Sequence, residues 1–249
     1  MSKKLRADQL LFDLGLAESR ERAKRLVMAG QVVRVLDGRE EPVRKPGDQV
    51  LPDAVLKVLE AERYVSRGGR KLETALEHFR LDVTGFVCLD AGASTGGFTD
   101  CLLQHGAARV YAADVGKGQL DVKLRADARV VVLEEVNLRH APADLIPEPV
   151  DLVTADLSFI SLTKVLPALV QFLKPGGRLV ALVKPQFELG PGAAVKGVVR
   201  DPALREQAVA IVTGFCQDEL GLASLGAVPA KIKGPKGNQE FLAVFLRQS

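Results

Sequence analysis

The sequence predicts an α/β protein, with a doubly wound parallel sheet preceded by a small α+β domain. Three observations support this prediction. Beyond the first quarter of the chain, short apolar runs alternate with helical stretches; a glycine-rich turn follows the first of these runs; and the opening residues show a different pattern, of short helices and short strands. We therefore expect domains at 1–60 and 67–249, joined by a linker at 61–66.

Two short helices are predicted first, over residues 6–15 and 19–30. Both segments carry apolar residues at helical spacing and end in glycine, and Ser19 is a suitable N-cap for the second. A turn is expected at Asp37-Gly38. On either side of it are two segments with the composition of short strands, residues 31–35 and 48–51, which we expect to form one small sheet.

Basic side chains crowd the second predicted helix. They are Arg20, Arg22, Lys24 and Arg25, and Arg6 could lie near them. The chain has a net charge of +3, and the basic excess lies in its first third. A basic segment beside a nearly neutral remainder suggests a phosphate-rich partner, but charge alone is more typical of a solvated helix face. Both interpretations stay open.

The second domain alternates between strands and helices. Strands are expected at residues 86–91, 109–113, 130–133, 150–155 and 178–183. Helices are expected at 96–105, 120–126, 142–146 and 161–173. The tail adds a helix at 201–219 and two strands, 223–232 and 240–246, which would form a hairpin at the sheet edge.

Several classes of protein are disfavoured by composition. No run of apolar residues is long enough for a membrane helix and no apolar signal core opens the chain, so a cytoplasmic protein is expected. The three cysteines, Cys88, Cys101 and Cys216, are scattered and lack metal-ligand spacing. We therefore expect buried free thiols, with neither disulfides nor a zinc site.

The turn after the first strand of the second domain predicts a ligand site. Residues 89–99 contain three glycines, which allow close backbone approach at a helix N-terminus. Ser94 breaks a dinucleotide fingerprint, and Phe98 stands where a P-loop needs lysine. The segment instead resembles the first motif of Rossmann-like S-adenosylmethionine methyltransferases. That resemblance implies cofactor contacts from Asp90, Gly92, Ser94, Gly96, Gly97 and Phe98.

Two residues at later strand ends extend the predicted cofactor site. Asp114 closes the second strand, where a carboxylate can accept hydrogen bonds from both ribose hydroxyls. Asn137 follows the third strand and could recognise the adenine edge, although a loop-capping asparagine fits its position equally well.

Four charged residues stand at element ends that meet in one crevice. Lys71 opens a helix, Asp156 and Lys184 end the fourth and fifth strands, and Glu240 opens the last strand. Singly, each is typical of a surface charge. Together with the turn, they lie in a series of segments that resembles the TlyA (haemolysin A) family of ribosomal RNA 2′-O-methyltransferases: residues 19–32, 64–72, 90–98, 156–161, 182–188 and 237–241.

The resemblance covers essentially the whole chain and implies an enzyme. It implies an RNA-binding domain of the ribosomal-protein S-four type, an FtsJ-like methyltransferase domain, S-adenosylmethionine as cofactor and a cytidine of ribosomal RNA as target, with no stable protein partner evident. The family's Lys-Asp-Lys-Glu tetrad falls on Lys71, Asp156, Lys184 and Glu240. The implied RNA contacts are Arg6, Arg20, Arg22, Lys24, Arg25 and Arg67.

The implied chemistry needs a base and no metal. A ribose 2′-hydroxyl must lose its proton as it attacks the methyl group, and Lys184 can accept that proton if desolvation and the second ammonium group favour its neutral form. Asp156 and Glu240 would orient the ammonium groups.

The alternatives are a non-catalytic ribosome-binding factor, a pore-forming toxin and a nicotinamide-dependent oxidoreductase. Ser94 disfavours the oxidoreductase, and the absence of a membrane-span pattern disfavours the toxin. The glycine-rich segment 185–199 is either a lid over RNA or a mobile surface loop.

Overall fold

The computed structural model describes residues 4–28, 30–36, 38–59, 63–190 and 192–248. The chain divides into two compact units, Met1–Glu62 and Arg63–Ser249. Tyr64, inside the interval expected to be a linker, is buried in the core of the second unit.

In the part that the structure describes, the first unit contains two helices and five short strands. The helices are α1 (Ala7–Asp13) and α2 (Arg20–Met28). The strands are β1 (Leu5–Arg6), β2 (Val32–Leu36), β3 (Arg39–Pro42), β4 (Gln49–Val50) and β5 (Val55–Val58). The predicted cap of α2 is confirmed, since Ser19 Oγ accepts a hydrogen bond from the Arg22 amide at 3.1 Å.

The five strands form two sheets, and this differs from the expected single sheet. β4 pairs with β1, whereas β2 lies between β3 and β5. The prediction missed β5, although its alternating burial is typical of a half-buried strand. Of the predicted Asp37-Gly38 turn, Asp37 lies outside the described residues.

The second unit is built around a seven-stranded sheet. Its strands are β6 (Val87–Ala91), β7 (Arg109–Ala113), β8 (Val130–Leu133), β9 (Val150–Ala155), β10 (Leu173–Val183), β11 (Leu222–Pro229) and β12 (Phe241–Arg247). Their order is β11-β12-β10-β9-β6-β7-β8. The five strands from β6 to β10 are parallel to their neighbours in that set, and β12 and β11 add an antiparallel edge. The predicted doubly wound sheet with an edge hairpin is confirmed.

Helices cover both faces of this sheet, so its central strands are mainly apolar, with Asp90 of β6 and Thr154 of β9 as buried polar exceptions. These helices are α3 (Gly68–His78), α4 (Gly97–Gln104), α5 (Val122–Arg125), α6 (Leu166–Val170), α7 (Pro185–Glu188) and α8 (Pro202–Asp218). The three cysteines are free and buried, as expected. Within the described residues, no helix is long and apolar enough to cross a membrane, and no cluster of side chains suits a metal ion.

Two predicted helices need correction. Residues 142–146 form turns and bends rather than a helix, because Pro147 disfavours helical backbone at the residue before it and Pro149 follows, so a helix could not continue beyond this short segment. The segment predicted as one helix at 161–173 is a 3-10 turn followed by the short α6. Ser161 caps the turn, and Pro167 starts a separate helix.

Candidate active site

The glycine turn joins the carboxyl end of β6 to the start of α4. Gly92 has φ of +85°, and a Cβ atom there would lie 2.5 Å from the backbone oxygen of Asp156. Gly96 caps α4 with φ of +96°, and a Cβ atom would meet Leu124 at 2.2 Å. Backbone conformation therefore disfavours a side chain at both positions, and at Gly92 the backbone oxygen of Asp156 also leaves no space for one.

Asp90 lies in β6 just before the turn, and it lines neither of the two cavities that the described residues form beside the turn. Its side chain is fully buried and accepts hydrogen bonds from Thr99 Oγ1 at 2.7 Å and Thr154 Oγ1 at 2.9 Å. Burial raises the pKa of this carboxyl group to about 6, although the two hydroxyl groups oppose the shift. Its position allows it to support the turn, whereas a direct cofactor contact was expected.

Asp114 faces a cavity of about 510 Å³ at the ends of β7 and β8. Its carboxylate accepts hydrogen bonds from the amides of Ser94 at 2.8 Å and Gly116 at 2.7 Å, so its direction is fixed. The apolar walls of this first cavity are Val115, Val136, Leu157 and Ile160. A carboxylate beside apolar walls is suited to a ribose with an attached base.

Asn137 lines the same cavity, but its side-chain oxygen accepts a hydrogen bond from the Arg139 amide at 3.2 Å. It therefore caps the 3-10 turn at Leu138–His140, as the alternative interpretation allowed.

A buried ion pair joins α3 to the start of β12. Lys71 Nζ donates to Glu240 Oε2 at 2.6 Å, and the two side chains are 10% and 0% exposed. The second carboxylate oxygen of Glu240 has no hydrogen-bond partner among the described residues. Gly234 passes directly over this oxygen, and a Cβ atom there would lie 1.9 Å from it.

A second ion pair lies at the ends of β9 and β10. Lys184 Nζ lies 2.6 Å from Asp156 Oδ1 and also donates to Ser158 Oγ at 2.9 Å. The two strands pair in parallel, so their carboxyl ends, and the residues that follow them, meet at the same edge of the sheet.

Both lysines line a second cavity, of about 380 Å³, which we call the catalytic cavity. Asp156 also lines it, as do Gly97 and Phe98 of the glycine turn. The first cavity shares four of its lining residues: Gly92, Ser94, Asp156 and Ser158. Lys71, Asp156 and Lys184, from distant parts of the sequence, thus line one cavity beside the turn, whereas Glu240 is fully buried behind Lys71.

The FtsJ-like methyltransferase family model matches residues 64–247. The chain belongs to this family. The 16S/23S rRNA (cytidine-2′-O)-methyltransferase TlyA of Mycobacterium tuberculosis is 50% identical over 244 residues, which cover 97% of this chain and 89% of that protein. Hemolysin A of Brachyspira hyodysenteriae is 39% identical, covering 97% of this chain and 100% of that protein.

A solved structure supports the same relationship. A candidate hemolysin of Streptococcus thermophilus is 46% identical and matches with a TM-score of 0.75, covering 100% of this chain and 90% of the other. The resemblance to the TlyA (haemolysin A) family is confirmed.

The basic residues predicted to contact RNA differ from one another in their surroundings, and two of them bind a buried carboxylate. Arg6 binds the buried carboxylate of Asp8 through two hydrogen bonds of 2.9 Å, and Arg20 lies 3.6 Å from the same group. The two arginines therefore hold the fold of the first unit. The Arg6 guanidinium also holds the pKa of Asp8 below its ordinary value.

In the ranges that the structure describes, the other residues predicted to contact RNA do not bind a buried carboxylate. Lys24 pairs with Glu21 at 2.7 Å on an exposed face of α2. Arg22 and Arg25 are exposed, and their side chains form no ion pair within the described part of the chain. Arg67 is exposed at the start of α3 and lines the catalytic cavity.

The glycine-rich segment after Lys184 is anchored at both ends. Glu188 accepts hydrogen bonds from Ser161 Oγ at 2.6 Å and the Leu162 amide at 3.0 Å. The side-chain oxygen of Asn238 accepts a hydrogen bond from the Val199 amide at 3.0 Å, and its side-chain nitrogen donates one to the Gly197 carbonyl at 2.8 Å. Any lid movement would be confined to the residues between these anchors.

Sequence reasoning missed several residues of the catalytic cavity, and Ser158 and Lys233 are two of them. Ser158 lies two residues after Asp156, and this spacing from a predicted strand end was a usable signal. Lys233 stands in the connection before β12, whose path depends on Gly234, and the sequence pattern gives no sign of that path.

Proposed function

We propose that the protein transfers a methyl group from S-adenosylmethionine to a ribose 2′-hydroxyl of ribosomal RNA, with a cytidine as the expected target. The observation that carries this proposal is the meeting of two lysines, each paired with a carboxylate, in one cavity beside the glycine turn. A relative 50% identical to this chain bears the name of that activity.

The residues of the first cavity fit the cofactor. Asp114 keeps free lone pairs for two ribose hydroxyls although two amides already bind it. Val115 and Ile160 are among the apolar side chains that can flank an adenine ring. The sulfonium end would then extend past Gly92 and Asp156, which belong to both cavities. When bound, S-adenosylmethionine supplies an electrophilic methyl group on a sulfonium, whose sulfur keeps the bonding electrons.

Lys184 is the proposed base. In its neutral form, its Nζ lone pair accepts the proton of the 2′-hydroxyl while the ribose oxygen forms its bond to the methyl carbon. Asp156 holds this nitrogen in place at 2.6 Å and stabilises the ammonium group that results. Lys71, held by Glu240, adds positive charge beside the oxygen as negative charge develops there.

The first unit is proposed to hold RNA as an S-four-type domain. Arg22 and Arg25 of α2 have exposed cationic groups that suit phosphate contacts, which position RNA without reading its sequence. Because the proposed substrate is ribosomal RNA, we also infer that the protein works in the cytoplasm.

Incubation with labelled S-adenosylmethionine and unmodified ribosomal subunits tests the proposal. We expect label on the 2′-oxygen of one or a few cytidines, mapped by alkaline-hydrolysis resistance. An RNA carrying 2′-deoxycytidine at the mapped position should accept no methyl group. Transfer to that deoxy RNA would contradict the acceptor, and cofactor binding without transfer to any RNA would favour a non-catalytic assembly factor.

A further inference from the structure

Lys233 differs from the other lysines of the catalytic cavity in having no counter-charge. Lys71 and Lys184 each face a carboxylate at 2.6 Å. Within the described ranges, neither Lys233 nor Arg67 forms an ion pair or side-chain hydrogen bond, and both are exposed at the cavity. The cavity therefore carries positive charge that the protein does not neutralise.

Buried contacts of the residues that follow Lys233 fix its backbone beside the catalytic cavity. Gly234 lies against Glu240 with no room for a Cβ atom, and its amide donates to the Asn238 carbonyl at 2.9 Å. Asn238 is itself buried and fixed by two hydrogen bonds to the segment 197–199. The position of Lys233 is thus set by buried contacts on its C-terminal side.

We propose that Lys233 and Arg67 form a subsite for a phosphate group of the RNA strand, next to the ribose that is methylated. This inference rests on the proposed function. The cofactor carboxylate is the other anion that could bind there. Both cations are exposed, and neither lines the first cavity, where Asp114 lies. A solvent-facing position of this kind suits a continuous nucleic-acid backbone.

Lys231 provides a matched control in the same segment. It is exposed, but Glu77 neutralises it at 2.5 Å and it does not line the catalytic cavity. The test compares Lys233→Ala with Lys231→Ala in binding to unmodified ribosomal subunits over a range of salt concentrations. Binding is measured without turnover, so the result does not depend on methyl transfer.

We expect Lys233→Ala to weaken RNA binding and to reduce the slope of log affinity against log salt by about one. Lys231→Ala should leave both unchanged, and cofactor affinity should be the same in both variants. Equal losses from the two variants would show a nonspecific basic surface and overturn the subsite. Loss of S-adenosylmethionine affinity in Lys233→Ala would assign the site to the cofactor and also overturn it.

A separate observation concerns the direction of the Lys184 lone pair. A neutral amine has two N–H donors and one lone pair. Lys184 Nζ has two acceptors, Asp156 Oδ1 at 2.6 Å and Ser158 Oγ at 2.9 Å. With both donors engaged, the lone pair is directed away from both acceptors, and all three residues line the catalytic cavity.

We infer that Ser158 is a positioning residue that aims the lone pair of Lys184 at the substrate hydroxyl. This inference also rests on the proposed function. Ser158 is exposed, so its replacement by alanine leaves the core intact. Without its hydroxyl group, the amine can rotate about the terminal bond and present an N–H to the cavity instead.

The test is single-turnover methylation by Ser158→Ala and Ser158→Thr beside the wild type, whose own turnover tests the proposed function. We expect Ser158→Ala to lower the rate at saturating RNA by about ten- to a hundredfold. RNA and cofactor affinities should not change, and Ser158→Thr, which keeps the hydroxyl group, should restore most of the rate. An unaffected rate in Ser158→Ala, a loss of affinity instead of rate, or a threonine variant as slow as the alanine variant would each overturn the inference.

Discussion

The two lysine–carboxylate pairs differ in how far water reaches them. Glu240 is fully buried and Lys71 nearly so, whereas the Asp156 side chain is 22% exposed at the cavity. A charge left alone in the first pair would therefore remain away from water, whereas one left alone in the second pair could be hydrated. Replacing Lys71 should disturb folding, and replacing Lys184 should chiefly disturb chemistry.

Lys71→Met should lower the free energy of unfolding by about 3 kcal/mol, because the Glu240 carboxylate stays buried without a counter-charge. Denaturant titration followed by circular dichroism measures the loss. The double variant Lys71→Met/Glu240→Gln removes both charges and should recover part of the stability. A double variant as unstable as the sum of its two singles would contradict this account.

Asp90 predicts a pH dependence of stability. Burial raises the pKa of its carboxyl group from 3.8 to about 6, so between these values the unfolded chain has released a proton that the folded protein keeps. Stability from this group is therefore lost as pH rises through 6. Asp90→Asn, which cannot ionise, should gain about 1 kcal/mol relative to the wild type between pH 5 and 7.5. A difference independent of pH in denaturant titrations would contradict the prediction.

Gly92 of the glycine turn can be compared with Gly176, a glycine of β10 outside the site. Gly92 and Gly176 both have left-handed backbone conformations, with φ of +85° and +77°, but only Gly92 has atoms close to a built Cβ. An alanine at Gly176 would therefore introduce backbone strain alone, whereas an alanine at Gly92 would introduce both strain and a steric clash.

Gly176→Ala should cost about 1 kcal/mol of unfolding free energy from strain alone. Gly92→Ala should cost about 1 to 3 kcal/mol more, because its Cβ must displace the Asp156 carbonyl. It should also weaken S-adenosylmethionine binding, measured by calorimetry, whereas Gly176→Ala should bind normally. Equal stability losses with unchanged cofactor binding would show that the turn tolerates a side chain.

In the first unit, the exposed arginines of α2 can be separated from the structural Arg6 of β1. Arg22→Ala/Arg25→Ala should lower RNA affinity and reduce its salt slope by roughly two, with no change in stability. Arg6→Ala should instead destabilise the first unit, because Asp8 loses its two closest hydrogen bonds. Unchanged RNA binding by the double variant at matched salt would count against α2 as the RNA-facing helix.

The sequence predicted elements well where periodicity decided them. The apolar runs gave the parallel strands, and strand bounds such as Arg109–Ala113 and Val150–Ala155 match the expected ranges. Predictions failed where backbone chemistry outweighed side-chain pattern. Prolines replaced a helix with turns at 142–146, and pairing with β1 took β4 out of the expected sheet.

At the scale of the whole second unit, parallel strands explain why the site was predictable. Their carboxyl ends meet at one edge, so Asp156 and Lys184 meet although 28 positions separate their numbers. Which lysine forms an ion pair with which carboxylate was not predictable, because that depends on the direction of each side chain. Neither was the buried position of Asp90, since a motif gives the order of residues and not which side of the turn each side chain occupies.

The most direct test of the central claim compares cofactor binding and methyl transfer in Lys184→Ala. The claim is that the two ion pairs beside the glycine turn perform the transfer, with Lys184 as the base. The variant should bind S-adenosylmethionine with wild-type affinity by calorimetry and methylate ribosomal subunits about 10² to 10⁴ times more slowly. Wild-type turnover with intact cofactor binding would contradict the claim.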